Sequence, residues 1–318
     1  VDSPEEFEGH ALELFQYQAR HNVVYGRYLR HLSIEPASIQ HVTQIPHLPI
    51  RFFKRFPVVT GSQPTLLQFK SSGTGGMTPS THHVADPELY QQSFTRTFEH
   101  FFGPAKKYFI ACLLPSYLER QDASLVYMCK HLLAQSDDPD GGFFLEDVPR
   151  LRQLLEAKKA AQKPILLLGV SFALWQMAEE YPLALRPGDV VMETGGMKGR
   201  RREITRQELH HILQNGFAVR AIASEYGMTE LLSQAYAQEG GLFQCPPWMR
   251  VYTRDLHDPF AERPLGKTGA LNIIDLANLD SCAFLETEDL GRCYGDGRFE
   301  VLGRFDQADL RGCNLMLA

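Results

Sequence analysis

The chain has 318 residues, 44% of them hydrophobic and 22% charged, which is the balance of a folded globular protein able to bury a sizeable core. Its formal charge of −6, with one short basic run at Lys198 to Arg202, argues against a nucleic-acid partner. The longest apolar runs, Tyr108 to Leu114 and Pro164 to Met177, fall short of the roughly 18 residues that cross a bilayer, so no membrane span is expected.

The acidic start VDSPEEFEGH lacks a signal peptide's apolar core, and the six cysteines (Cys112, Cys129, Cys245, Cys282, Cys293, Cys313) include no CxxC pair. Both features fit a cytoplasmic protein with free thiols. A zinc site built from Cys245, Cys282, Cys293 and a histidine would match no tight ligand spacing.

From Pro4 to Leu32 the apolar residues Phe7, Ala11, Leu14, Phe15, Tyr25, Tyr28 and Leu29 recur at helical spacing, giving a helical start. Ile45 to Phe56 is Pro-punctuated and reads as extended chain with at most one helical turn. Thr65 to Phe69 is strand-like, and Lys70 to Ser80, KSSGTGGMTPS, follows it. Gly73, Gly75 and Gly76 permit positive φ and close backbone approach, while Ser71, Ser72, Thr74 and Thr78 add hydroxyls, a combination suited to holding an anion. The spacing is neither that of a Walker loop nor that of a dinucleotide loop. Thr81 to Ala85 is strand-like again, so the loop closes a hairpin, and a bland Ser/Gly surface turn is the competing reading. Asp86-Pro87 then supplies a helix N-cap and first position.

Helical and strand-like segments alternate onward from Pro87: helices over 87–102, 123–134, 148–161, 172–180 and 206–215, strands over 108–114, 165–169, 189–192 and 219–223. This is an α/β pattern with helices on a largely parallel sheet. Beyond Glu225 the strand-like pieces 242–244, 249–253, 269–275 and 298–302, joined by Pro, Gly and Asp turns, form a β-rich closing lobe. Three regions are expected: 1–64 as a helical segment packed on the main domain, 65–224 as the α/β region, and 225–318 as a β-rich lobe ending in a short tail.

EYGMTE, Glu225 to Glu230, follows the strand expected to end at Ala223, and ligands of open α/β sheets sit at the carboxyl ends of strands. Tyr226 offers a flat face, Gly227 a turn, Thr229 a hydroxyl and Glu230 a hard oxygen ligand for Mg²⁺. The competing reading packs Tyr226 and Met228 and leaves Glu230 in solvent. TEDLG, at Thr287 to Gly291, puts Asp289 in a turn where its carboxylate can accept ribose hydroxyls. GRFD, at Gly303 to Asp306, puts Arg304 and Asp306 at a strand end.

In this order, SSGTGG, YGMTE, a turn aspartate and GRFD, the sequence resembles the adenylate-forming superfamily of acyl-CoA synthetases, nonribosomal adenylation domains and luciferases. The resemblance implies the N-terminal-domain fold of that superfamily, with Ser71 to Gly76 on the phosphates of ATP and Tyr226 on adenine. It further implies Thr229 and Glu230 on phosphate and Mg²⁺, and Asp289 and Arg304 on ribose. Two departures stand out. Ser80 follows Pro79 where the family has a lysine, and no C-terminal domain of roughly a hundred residues follows the hinge before Ala318. The short branch of acyl-protein synthetases, the LuxE family of bioluminescent bacteria, is similar in that truncation. It is similar too in ALELFQYQARHNVVYGRYL and IPHLPIRFFKRF, in a TGG-x-KG segment at Thr194 to Gly199, and in a cysteine soon after the hinge.

The resemblance implies an ATP- and Mg²⁺-dependent enzyme that activates a carboxylic acid, chiefly a fatty acid, as acyl-adenylate. The acyl group would pass to Cys313 and then to a reductase or carrier partner. Lys198 would supply the missing cation, or is a solvated lysine of its basic run. Cys313, beside Arg311 in the terminal tail, is a mobile acceptor of lowered pKa, or a buried filler among Leu310, Leu315 and Leu317. Two other functions stay open: ligation to free coenzyme A, and non-catalytic nucleotide binding.

Overall fold

The computed structural model describes residues 1–72, 78–115, 122–144, 147–195, 202 and 204–305. They fall into two compact units, one formed by residues 1–63 together with the chain from Pro247, the other by Pro64–Pro246.

The first unit opens with α1 (Pro4–His21) and α2 (Val23–His31), then β1 (Leu48–Pro49) and a 3₁₀ turn at Ile50–Lys54. Ser3 caps α1 by accepting the Glu6 amide at 3.1 Å. The expected helical stretch is broken at Asn22, whose backbone is extended and whose side chain accepts the Tyr25 amide at 2.9 Å to cap α2. Its Nδ2 also donates to the Ser281 carbonyl at 3.0 Å. Gln18, fully buried, donates to the Asn278 carbonyl at 2.7 Å and accepts the Ala283 amide at 2.9 Å. These two amides fix the helices to the far end of the sequence.

The second unit starts with β2 (Leu67–Lys70) and β3 (Thr81–Val84), the antiparallel arms of the Ser/Gly hairpin. Next comes α3 (Pro87–Phe102), with Asp86 accepting the amides of Glu88 and Leu89 at 2.9 and 3.0 Å as its cap. Then follow β4 (Phe109–Leu113), α4 (Ser124–Gln135), β5 (Gly142–Phe143), α5 (Val148–Ala160), β6 (Ile165–Val170), α6 (Ser171–Glu180), β7 (Val190–Thr194), α7 (Arg206–Phe217), β8 (Ala223–Tyr226) and β9 (Ala235–Ala237). The sheet order is β5-β4-β6-β7-β8-β9, parallel except for β9. Every residue of β4 and β6 is buried, as strands covered by helices on both faces require. Parallel pairing places the carboxyl ends of β4, β6, β7 and β8 along one edge.

The chain then returns to the first unit with β10 (Met249–Arg254), β11 (Gly269–Asp275), β12 (Phe284–Cys293) and β13 (Phe299–Arg304). Their sheet runs β1-β12-β11-β10, with β13 on the remaining stretch of β12. Among the described residues no helix is long and apolar enough to cross a membrane.

Two sequence expectations need correction. The strand expected over 219–223 starts at Ala223, because α7 ends on Ala218 in the left-handed conformation (φ 50°) and Gln214 caps the following turn through the Arg220 carbonyl at 2.7 Å. Tyr226 is therefore the last residue of a strand. Asp289 lies inside β12, not in a turn. TEDLG sits at a register shift between β11 and β12, where Thr287 donates to the Leu271 carbonyl at 2.8 Å and accepts the Asp289 amide at 3.1 Å. A bulge carries the same turn-forming residues as a loop.

Gly216, in α7, marks the closest approach to α6: a Cβ there would lie 2.5 Å from Ala178 Cβ and 2.6 Å from its carbonyl oxygen. Helix propensity alone favours alanine at such a site, yet overpacking of this kind costs about 1–3 kcal/mol. Gly216→Ala is therefore expected to destabilise the protein in urea unfolding, and Gly216→Ala with Ala178→Gly to recover part of the loss. A stabilised single variant would contradict the packing.

Candidate active site

In the second unit the neck of the Ser/Gly hairpin is held by backbone and hydroxyl together. Ser71 donates its amide to the Ser80 carbonyl at 3.0 Å, and the Ser80 amide donates to Ser71 Oγ at 2.8 Å. The Lys70 amide donates to the Asp122 carbonyl at 2.8 Å, and Phe69 packs edge-on against Tyr90 and Tyr127 at 5.2 and 5.5 Å. The arm is thereby anchored in the core. Ser71 is half-buried and Ser72 exposed, whereas Gly73, Thr74, Gly75 and Gly76 lie outside the described residues.

The hairpin meets the EYGMTE turn directly. His82, two residues past Ser80, is fully buried, and its Nδ1 lies 2.8 Å from the Thr229 carbonyl. Tyr226 is buried at the end of β8, with its ring 5.8 Å from that of Phe243 and its hydroxyl on Met228 Sδ at 3.4 Å. Gly227 is exposed, and a Cβ on it would collide with Glu225 Oε1. Thr229 is half-buried and Glu230 buried. Ser71, Tyr226, Gly227, Thr229 and Glu230 thus belong to one unit, at the carboxyl edge of its sheet.

Two glutamates at that edge had no sequence expectation attached. Glu193, in β7, is 3% exposed, and burial opposes its charge. A hydrogen bond from His210 (Nε2 at 3.6 Å), the charge of Arg206 (Nε at 3.2 Å) and a hydrogen bond from Ser224 outweigh that penalty, so its carboxyl stays below the usual carboxylate range, and the Ser171 hydroxyl also donates to it at 3.1 Å. Glu225, on the neighbouring strand and the other face, is half-buried and accepts the Thr194 hydroxyl. Burial pushes its carboxyl up to about 7, with repulsion from Glu193 adding to the rise and the Thr194 hydrogen bond opposing it. Adjacent carboxyls are thus driven apart in acidity. The polar position in the apolar run VVMET was the one available sequence signal.

Asp289 and Arg304 belong to the first unit. They face each other across β12 and β13, with Arg304 Nε 3.5 Å from Asp289 Oδ1 and Nη2 3.4 Å from Glu288 Oε2. Asp289 is buried and Arg304 exposed, so the pair itself adds little stability. Lys198, Asp306 and Cys313 lie outside the described residues. Among the described residues no group of three or more His, Cys, Asp or Glu is arranged for a metal. Burial pushes the thiols of Cys282 and Cys293 up to about 12 and about 11, the reverse of what a zinc ligand needs. A magnesium ion in a nucleotide site takes one or two carboxylates plus substrate phosphates, a donor set that Glu230 fits without a preformed cluster.

Glu225 gives a pH signature. Between the ordinary glutamate range and about 7 the folded protein holds a proton that the unfolded chain has released, so stability falls as pH rises through that window and levels off above it. Relative to Glu225→Gln, which cannot titrate, the wild type is expected to lose roughly 1–3 kcal/mol between about pH 5 and about pH 8. Urea unfolding of both proteins across that range is the measurement, and a constant difference would contradict it.

No protein-family model matches the chain, and no curated protein matches it. Solved structures do. ATP-bound MatB from Rhodopseudomonas palustris is similar at 17% identity and TM-score 0.56, over 74% of this chain and 47% of that one. 2-Hydroxyisobutyryl-CoA ligase, in an open conformation with 2-HIB-AMP and CoA, is similar at 14% identity and TM-score 0.70, over 95% of this chain and 70% of that one. The chain spans about half the length of MatB. At such identities the likeness is one of fold, and the fold is that of an adenylate-forming N-terminal domain.

Proposed function

We propose that the protein activates a carboxylic acid with ATP and transfers the acyl group to a thiol. The carboxylate attacks the α-phosphorus of ATP and pyrophosphate leaves. A thiolate then attacks the acyl-adenylate carbonyl and AMP leaves. The observation that carries this reading is the junction of the Ser/Gly hairpin with the Tyr226–Glu230 turn at the carboxyl edge of the parallel sheet. Hydroxyls and backbone amides of Ser71 to Gly76 hold the phosphates, Tyr226 faces adenine, Gly227 leaves room at the turn, and Thr229 binds phosphate. Asp289 and Arg304 take the ribose. Magnesium, when bound, neutralises charge on the leaving pyrophosphate, and Glu230 would hold it, with Lys198 adding a second positive charge. The two similar structures, one holding ATP and the other an acyl-AMP with CoA, support nucleotide and acid as the substrate classes.

The acid in this reading is a fatty acid and the first acceptor is Cys313, from which the acyl group passes to a reductase or carrier protein. The resemblance to acyl-protein synthetases supports both. Free coenzyme A as acceptor is the second reading, favoured by the CoA found in the 2-hydroxyisobutyryl-CoA ligase structure.

ATP–pyrophosphate exchange with a panel of fatty and short-chain acids tests the activation step. Glu230→Gln should lower the exchange rate by about 100-fold or more while leaving ATP binding within a few fold, because a transition-state contact is lost and the base and ribose contacts remain. Equal exchange in variant and wild type would remove Glu230 from the site.

The acceptor is tested by Cys313→Ser. Exchange should persist, while hydroxylamine-sensitive labelling of the protein by radioactive fatty acid should vanish. Undiminished labelling rules Cys313 out, and label that appears on added coenzyme A instead identifies the second reading.

A further inference from the structure

Adjacent histidines on β3 point to opposite faces, as successive strand residues must. His83 lies on the outer face, 3.3 Å from Thr65 Oγ1 and from Gln68 Nε2. His82 points inward and is fully buried, with Nδ1 2.8 Å from the carbonyl oxygen of Thr229. A carbonyl can only accept, so Nδ1 carries the proton and the tautomer is set. The bond joins two segments 147 residues apart in sequence.

On one side of it, Ser80 closes the neck of the Ser/Gly hairpin through Ser71. On the other, the Thr229 carbonyl sits in the turn that presents Thr229 and Glu230, tightened by the Leu231 amide on the Met228 carbonyl at 3.2 Å. A second tether, Ser93 Oγ to Ser233 Oγ at 3.0 Å, ties the chain beyond the turn to α3. The turn is thus held at its far side by a helix and at its near side by the hairpin strand. Loop phosphates and the Glu230 carboxylate can serve one pyrophosphate only if the hairpin and the turn keep a fixed spacing.

We propose that His82 is a positioning residue that sets the spacing between the phosphate-holding hairpin and the Thr229–Glu230 turn. This rests on reading those elements as the nucleotide site. His82 acts through the Thr229 backbone and touches neither nucleotide nor acid. Its loss leaves the individual binding groups in place and misaligns them, so it lowers turnover more than affinity.

Three variants separate this role from packing. In His82→Asn the amide nitrogen takes the place of Nδ1, in His82→Gln it takes the place of Nε2, and His82→Leu fills the volume with no donor. With each variant's folding checked by thermal unfolding, Asn is expected to keep the pyrophosphate-exchange kcat within about threefold, and Gln and Leu to lose about tenfold or more, as a misplacement near 1 Å does. The ATP dissociation constant from calorimetry should move less than kcat in all three. A packing role would invert the order, since Asn leaves the largest void, and that ranking overturns the proposal. Equal kcat in all three variants overturns it too. A wild type that exchanges with no acid of the panel removes the functional reading itself, an outcome distinct from a wrong ranking in an active enzyme.

Discussion

A carboxylate buried at the end of a strand has to be paired, and Glu193 organises the sheet edge by that requirement. Left alone it would protonate or pull the strand end into solvent. Instead it draws in the Ser171 hydroxyl from the start of α6, Arg206 from the first residue of α7 and His210 one turn later. Arg206 also packs 5.0 Å over Phe243, which in turn lies against Tyr226. The ends of β7 and β8, the starts of two helices and the tyrosine of the EYGMTE segment are thereby coupled through one charge.

The opposite face of the same edge works differently. Glu225 has Thr194 as its hydrogen-bond partner and stands near the phenols of Tyr90 and Tyr236, whose own acidity burial suppresses. Its carboxyl also lies against the turn, where a Cβ on Gly227 would force the Glu225 side chain to shift. One glutamate is kept ionised by its hydrogen bonds and the charge of Arg206, the other has its carboxyl pushed up by burial, and both stand within a residue or two of the proposed nucleotide face.

Much of this frame was legible in the sequence. A short continuous apolar run such as Ile165–Val170 reads as a doubly covered strand, and Asp86-Pro87 announces a helix that the structure caps as expected. The hairpin form of the Ser/Gly loop was readable from its two flanks. What stayed hidden depends on partners far away in sequence. The start of β8 is fixed by where Met192 offers a pairing partner, and TEDLG is a bulge because Thr287 finds the Leu271 carbonyl on the neighbouring strand. His82 looked like any strand histidine, because the group that gives it meaning is a backbone carbonyl 147 residues on. Local composition cannot encode such contacts.

The first unit is discontinuous in sequence, and that fixes an order of events during synthesis. Gln18 and Asn22 are anchored by carbonyls and an amide of residues 278–283, and β1 needs β12 as its neighbour. Residues 64–246, by contrast, contain all the strands of their own sheet. At about 5–20 residues per second the ribosome takes roughly 10–40 s to make that intervening stretch. For that interval the amphipathic N-terminal helices have left the exit tunnel without the sheet that buries Phe7, Phe15 and Tyr25. The contiguous inner unit therefore has all its sheet partners in hand before the N-terminal helices have theirs, and the apolar faces of α1 and α2 must wait for the last stretch of chain to cover them.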